Sequence, residues 1–426
     1  MKREELYTIF FRQQKQLEEE KIELVKRELT KKAIETLALK MPIIITGVRR
    51  CGKSILLRLI KEELKLHEKD FFYINFNDDS LIDFTIEDFQ KIIDFLEENN
   101  YSKNCLLLLD EIQEIDKWEK WIDRIKHTYP IFITGSNSRL SSKEISSTLT
   151  GRSVSLWLTP FNFTEFLSFK KVNLKDWKLD LKAQATIRRE FREFLEIGGF
   201  PKRVVTGDKM IISELYDQIL YRDIIKKFSK QEREIKELGL FFLSNPASSI
   251  SSRSVSDITG IKNLSTIKNI LNSFENSFLF FFLSKFDYAV KKQIQNPRKA
   301  YCIDNGFVTT IGFKFSEDRG KLLENLVAIE LKRKNKEIYY FSEKKECDFL
   351  VKDGTKITEA IQVSDEINGK NRDREINGLV EALEKFKLKE GLILTYDQEE
   401  EIKEKGKTIV IKPVWKWLLE NKDRKI

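Results

Sequence analysis

The stretch Gly47-Val48-Arg49-Arg50-Cys51-Gly52-Lys53-Ser54 combines the residue types that hold a polyphosphate. Its glycines lack the side chains that would stop the backbone curling around an anion, so the loop amides can point inward. Lys53 can then reach the β- and γ-phosphates of a nucleotide, while the hydroxyl of Ser54 offers an oxygen to Mg²⁺. These eight residues and Ile55, which continues the following helix, are the candidate nucleotide contacts.

A second group complements the first. Asp110-Glu111 closes the apolar run Cys105-Leu106-Leu107-Leu108-Leu109. A carboxylate at the C-terminal end of a buried strand can hold Mg²⁺ through water, and a neighbouring glutamate can polarise the attacking water. Ser54 and Asp110 are thus the candidate metal ligands, and Glu111 the candidate base. In the turn after Ile131-Phe132-Ile133-Thr134-Gly135, Ser136 or Asn137 could orient that water; a plain Gly-Ser-Asn turn is the competing reading. Arg152 is a candidate arginine finger, acting within its own chain or toward a neighbour. Arg27 lies in a charged helical segment, where it either meets the nucleotide base or is a solvated helix residue.

The elements that must position these residues follow from periodicity. Ile43-Ile44-Ile45-Thr46 reads as a strand, and Ile55 to Ile60 as an amphipathic helix, so the loop joins strand to helix. Phe71 to Phe76 is a second strand, residues 86–98 a helix, and Cys105 to Leu109 a strand buried on both faces. Ile112 to His127 is a helix whose Trp118 and Trp121 share a face and belong in the core. Ile131 to Thr134 is a fourth strand and, after a Ser/Thr-rich loop at 141–150, Ser153 to Leu158 a fifth. Strands alternating with helices predict an α/β three-layer domain with a parallel sheet and the nucleotide at its C-terminal edge.

Together, the Gly47 to Ser54 loop, the leucine-rich strand into Asp110-Glu111-Ile112-Gln113, the turn at 133–137 and Gly151-Arg152 resemble the archaeal and bacterial AAA-type ATPases related to signal-transducing NTPases. Pro160 to Phe166 and Gly198-Gly199-Phe200-Pro201 extend the likeness. The resemblance implies Mg²⁺-dependent ATP binding and hydrolysis, and a strand inserted between those of Asp110 and the phosphate loop. It also implies an order of domains: a helical lead-in at 1–40, the P-loop ATPase core at 41–160, a helical lid at 161–230, a winged helix at 231–312, and a restriction-endonuclease-like α/β domain at 313–426.

In the winged-helix region, Arg253 to Gly260 reads as a short helix closed by glycine, and Asn263 caps a second helix that would be the recognition helix. Residues 285–299 carry Lys285, Lys291, Lys292, Arg298 and Lys299 against one acid, Asp287. A basic hairpin beside such helices suits DNA phosphates, with an acidic protein partner as the alternative. The last region is read as helix, two strands, helix, strand, helix. Glu324 and Asp348 match acidic positions of metal-dependent nucleases of the fold it resembles, but Gln362 and Ser364 stand where glutamate and lysine are expected. A nuclease-like fold used for binding is therefore favoured over an ATP-regulated nuclease.

Composition excludes several classes. The chain has 426 residues and a net charge of +8, enough length for more than one core and a balance that permits nucleic acid as a partner. Its apolar runs are too short to span a membrane, and cytoplasmic residence is expected. Four scattered cysteines have neither metal-site spacing nor a disulfide framework, and two histidines leave little for His-based catalysis. A homo-oligomer is compatible with the finger reading of Arg152.

Overall fold

The computed structural model describes residues 1–19, 24–136, 151–313 and 318–420. Asn137 and the loop at 141–150 lie outside these. The chain divides into two compact units, residues 1–159 and 160–426.

In the first unit the apolar runs form β1 (Ile43–Thr46), β2 (Phe71–Asn75), β3 (Leu106–Asp110), β4 (Ile131–Gly135) and β5 (Val154–Trp157). They pair in parallel in the order β2-β3-β4-β1-β5. β4 therefore lies between the Asp110 strand and the phosphate-loop strand, as the resemblance implies. β1, β3 and β4 are buried along their whole length, which explains why they read as unbroken apolar runs.

The lead-in is two helices, α1 (Arg3–Glu19) and α2 (Glu28–Thr36), where an uninterrupted helical segment was expected. α1 shields the sheet's β2 edge. Phe10 packs edge-on against Phe72 at 5.4 Å. Gln14 accepts from the Tyr73 amide at 2.9 Å and donates to its carbonyl; Gln13 does the same for Asn75. Two amide side chains thus take the hydrogen bonds that another strand would otherwise offer β2. α3 (Lys53–Glu63), α4 (Phe89–Glu98) and α5 (Trp118–Ile125) complete this unit. Trp118 and Trp121 are in the core as expected, Trp121 stacking on Phe89 at 4.3 Å.

The second unit opens with α6 (Phe163–Phe169), α7 (Leu181–Ile197), α8 (Pro201–Thr206) and α9 (Met210–Ile219). Next come α10 (Glu232–Ser244), β6 (Ser249–Ile250), α11 (Ser252–Thr259), α12 (Leu264–Asn276), β7 (Phe280–Ser284), α13 (Val290–Gln295), β8 (Arg298–Cys302) and α14 (Asn305–Thr310). β6, β8 and β7 form an antiparallel sheet with β8 in the middle. Asn263 caps α12, and Gly260 closes α11 with φ of 74°. The basic segment at 285–299 is not a simple hairpin, because α13 is inserted in it. Lys299 is no part of a basic surface, for its side chain is buried.

The remainder comprises α15 (Arg319–Arg333), β9 (Glu337–Ser342), β10 (Glu346–Asp353), β11 (Lys356–Val363), α16 (Arg372–Lys385), β12 (Glu390–Thr395), β13 (Glu400–Glu404), β14 (Lys407–Pro413) and α17 (Val414–Glu420). One mixed sheet runs β13-β14-β12-β11-β10-β9. It has three more strands than the six-element reading allowed. β13 and β14 join through Lys405 and Gly406, whose φ values of 48° and 73° are those of a tight hairpin turn. All four cysteines are free and buried. No described helix is long and apolar enough to cross a membrane.

The turn Gly198-Gly199 is held by Asp304, the N-cap of α14. Its carboxyl accepts from the Gly199 amide at 2.7 Å and the Gly306 amide at 2.8 Å. A side chain at Gly199 would run into the Phe161 carbonyl, its Cβ only 2.1 Å away. Burial pushes Asp304 up to about 7, against the two amides that lower it. The folded protein then keeps a proton that the unfolded chain gives up near pH 4. This group's contribution to stability is present below that pH and lost as pH rises through about 7. Asp304→Asn should remove that loss; urea unfolding at pH 4.5 and 7.5 would give the variant a smaller difference than wild type. An unchanged difference would show that Asp304 does not bind the proton.

Candidate functional site

The phosphate loop is shaped by two close constraints. A Cβ on Gly47 would lie 2.1 Å from the Leu158 carbonyl, so nothing larger fits there. Gly52 has φ of 103°, a conformation that side chains resist, and turns the chain into α3. The first bond of that helix runs from the Leu56 amide to the Gly52 carbonyl. The amides before it face the loop, at the positive end of the helix, with no side-chain cap on Gly52. Val48 and Cys51 are buried, Ile55 is half-buried, Arg50 and Ser54 are exposed, and Arg49 is intermediate. Burial pushes the Cys51 thiol up, with Lys53 and Arg27 opposing.

Lys53 is only 4% exposed. Its ammonium donates to the carbonyls of Gly47 and Val48, each at 3.3 Å, and lies 3.5 Å from Glu111. Arg27 is neither solvated nor facing a base. It is 6% exposed, and its guanidinium donates to the Cys51 carbonyl at 2.9 Å and the Thr159 carbonyl at 2.6 Å. The arginine thus braces the loop from behind, tying it to the residues that follow β5.

Across from the loop, Asp110 is fully buried. Its carboxyl accepts from the hydroxyls of Thr134 and Tyr73, the latter at 3.0 Å, and the nearby Ser54 hydroxyl lowers its pKa. Burial raises its pKa, and neighbouring Glu111 adds to the rise. Glu111 has the opposite balance: burial would raise it, but Lys53 and the bonds from Gln113 and Ser136 hold it below the ordinary range. Its carboxylate accepts from the Ser136 amide at 3.1 Å and from the Gln113 side chain. Its own amide donates to Thr134 at 3.1 Å. The backbone at Glu111 is left-handed, φ 54°, a conformation this residue type adopts at a cost and one that recurs at functional sites.

Lys53, Ser54, Asp110 and Glu111 are therefore brought together as the sequence implies. Arg152 is not with them. β5 runs parallel to β1, with Val154 opposite Ile43, so Arg152 precedes the N-terminal end of its strand, at the sheet edge away from the loop. It is 61% exposed and sits 3.5 Å from Asp123. Asn137 lies outside the described residues. Tyr73 and Thr134 were missed in the sequence. The only signal for Thr134 is a polar residue closing an apolar strand, and Tyr73 gives none, because its contact depends on β2 lying beside β3.

The second unit gathers Glu324, Asp348 and Gln362, with an unexpected cation among them. Lys299 lies 3.0 Å from both Glu324 and Asp348. Burial, with Asp348 next in effect, pushes Glu324 up to about 7. Ser364 donates to the Glu366 carbonyl and faces no metal ligand.

A family model described as an AAA domain matches residues 39–167, and one for a domain of unknown function (DUF8612) matches residues 188–318. With the loop, the buried aspartate and the interposed strand, this defines a P-loop ATPase with an α/β core. The chain is 35% identical over 400 residues to the uncharacterized protein MJ1544 of Methanocaldococcus jannaschii, covering 88% of each. An uncharacterized protein of Haemophilus influenzae is 30% identical over 342 residues, covering 76% of this chain and 82% of its own. The chain belongs to the family of these proteins. Among solved structures, the Walker-type ATPase PABY2304 of Pyrococcus abyssi aligns with 68% of this chain and 96% of its own. Its TM-score of 0.45 and identity of 16% make it a loose likeness only.

The brace on the loop can be tested without nucleotide. Arg27→Met should lower stability by roughly 2–5 kcal/mol, since two backbone carbonyls lose their donors in a buried site. Urea unfolding of the apo protein would read this as a lower midpoint; an unaltered midpoint would mean that the guanidinium braces nothing.

Proposed function

We propose that the chain binds ATP with Mg²⁺, hydrolyses it, and passes its nucleotide state to a DNA-binding module. The observation that carries this reading is the glycine-shaped loop whose Lys53 meets Glu111 at 3.5 Å, with the Asp110 carboxyl fully buried beside it. The fit to a divalent ion is chemical: a carboxyl whose burial raises its pKa is relieved by a nearby positive charge. Ser54 and Asp110 would hold Mg²⁺, which when bound draws charge from the phosphate oxygens.

The chain's own residues account for the rest. Loop amides from Gly47 to Ile55 cradle the phosphates, and Lys53 neutralises charge developing on them. Tyr73 and Thr134 fix the orientation of Asp110. Glu111, held below its ordinary pKa, is ionised at neutral pH and able to accept a proton from water. The Ser136 amide aims that carboxylate, and Asn137, the next residue, is assigned to the water itself. Arg152, at the far sheet edge, is suited to the nucleotide of a second copy rather than its own, which supports a homo-oligomer.

The helix and strand order from α10 to β8 suits a winged helix, with α12 as recognition helix and the segment holding α13 as wing. Lys291 and Lys292 are exposed there and available to phosphates. The helices from α6 to α9 are assigned to the lid.

Two measurements check this. Lys53→Ala should abolish ATP binding, while Glu111→Gln should keep it and lower turnover by roughly 10²–10⁴-fold. Normal turnover in both variants would overturn the ATPase reading. For DNA, replacing Lys291 and Lys292 by alanine should flatten the dependence of log affinity on log salt by about two units. A slope equal to that of wild type, or binding only to an acidic protein, would remove DNA from the proposal.

A further inference from the structure

The carboxylates of the C-terminal sheet are met by a lysine from another part of the chain. β8 is the central strand of the three-stranded sheet, and alternation along it puts Lys299 and Tyr301 on one face. The Lys299 ammonium lies 3.0 Å from Glu324 of α15, and 2.8 and 3.0 Å from Glu346 and Asp348 of β10. Two of its N–H groups donate to Glu324 and Asp348, and the half-exposed Glu346 adds a third carboxylate at ion-pair distance. The Tyr301 hydroxyl also donates to Glu324, at 2.8 Å. Asp348 accepts from the Val363 amide with its other oxygen.

Gln362 is turned away from any ligand role. The Asp348 amide, a donor, takes its oxygen at 3.2 Å, and the Glu375 carboxylate, an acceptor, takes its nitrogen at 2.7 Å. Both neighbours fix the same orientation of the side-chain amide. Mg²⁺ requires oxygens at about 2.1 Å in near-octahedral array. Here the converging oxygens surround an ammonium at hydrogen-bond distances, and the position where a lysine would activate water holds Ser364. Among the described residues, no group of three or more His, Cys, Asp or Glu is arranged to hold a metal ion. The residues present therefore do not fit the metal centre of a nuclease.

We infer that Lys299 takes the cation position among these carboxylates, making the cluster a buried ionic joint between the three-stranded sheet and the C-terminal sheet rather than a divalent-metal site. Its charge comes from the chain itself. The joint couples a strand adjoining the wing segment to the last sheet, both within unit 160–426.

The test uses the full-length protein without nucleotide, titrated with Mn²⁺ and followed by electron paramagnetic resonance and thermal unfolding. Wild type should show no Mn²⁺ site that Asp348→Asn removes, and Asp348→Asn should lower Tm because the ammonium loses a partner. Lys299→Met should lower Tm on the order of 10 °C, bind about one Mn²⁺ per chain, and recover part of the loss when Mn²⁺ is added. A wild-type Mn²⁺ site abolished by Asp348→Asn would overturn the inference and restore the nuclease reading. A folded Lys299→Met that binds no Mn²⁺ would overturn it as well, since the ammonium would then hold no cation position. If Lys299→Met does not fold, wild type and Asp348→Asn still decide the matter.

Discussion

The nucleotide site rests on one buried carboxyl. Removing Asp110 from water is costly unless its oxygens are bonded; two hydroxyls supply those bonds and a third stands near them, each on a different element. Tyr73 comes from β2, Thr134 from β4, and Ser54 from the start of α3. Strand order makes this possible. With β4 between β1 and β3, the loop and the Asp110 strand are two strand spacings apart, about 10 Å. The Lys53 ammonium reaches across that gap to lie 3.5 Å from Glu111, and Thr134 in the intervening strand meets both the Asp110 carboxyl and the Glu111 amide.

The rest of the first unit protects this arrangement. β2 is an edge strand, and Gln13 and Gln14 of α1 occupy its outward amides and carbonyls. An open edge would offer the sheet to other chains. Arg27 has a similar role behind the loop, where its planar guanidinium bridges the Cys51 and Thr159 carbonyls. Arg27 bonds to the loop itself and the glutamines to the sheet edge, and each limits the ways in which the loop and sheet could relax.

Buried charge is used differently in the two units. Around Asp110 and Glu111, one lysine faces two acids, and hydroxyls and an amide supply the other hydrogen bonds. Around Glu324 and Asp348, the ammonium of Lys299 bonds to both carboxylates with Glu346 at ion-pair distance, and Gln362 beyond them bonds to Glu375. The first set lies beside the glycine-shaped loop, the second where β8 and α15 meet β10. Both rest on the rule that a buried charge persists only with a partner.

Local chemistry determined much of this protein at the level of sequence. The glycines of the loop, the Lys-Ser pair, the apolar run ending in Asp110-Glu111 and the Asn263 and Gly260 caps act over a few residues, so their meaning survives without coordinates. The parallel core was legible for the same reason: strands buried on both faces read as apolar runs, with polar residues such as Thr46, Asp110 and Thr134 only at or near their C-terminal ends. The β13–β14 hairpin was missed because it is only half buried and its charged residues mask the alternation. Contacts between distant positions were decided by tertiary structure alone. Tyr73 meets Asp110 only because β2 adjoins β3, Arg152 falls at the far edge only because β5 runs parallel to β1, and Lys299 leaves the basic surface only because β8 is covered. A lysine carries the same charge in either setting; packing determines whether that charge meets solvent or three carboxylates.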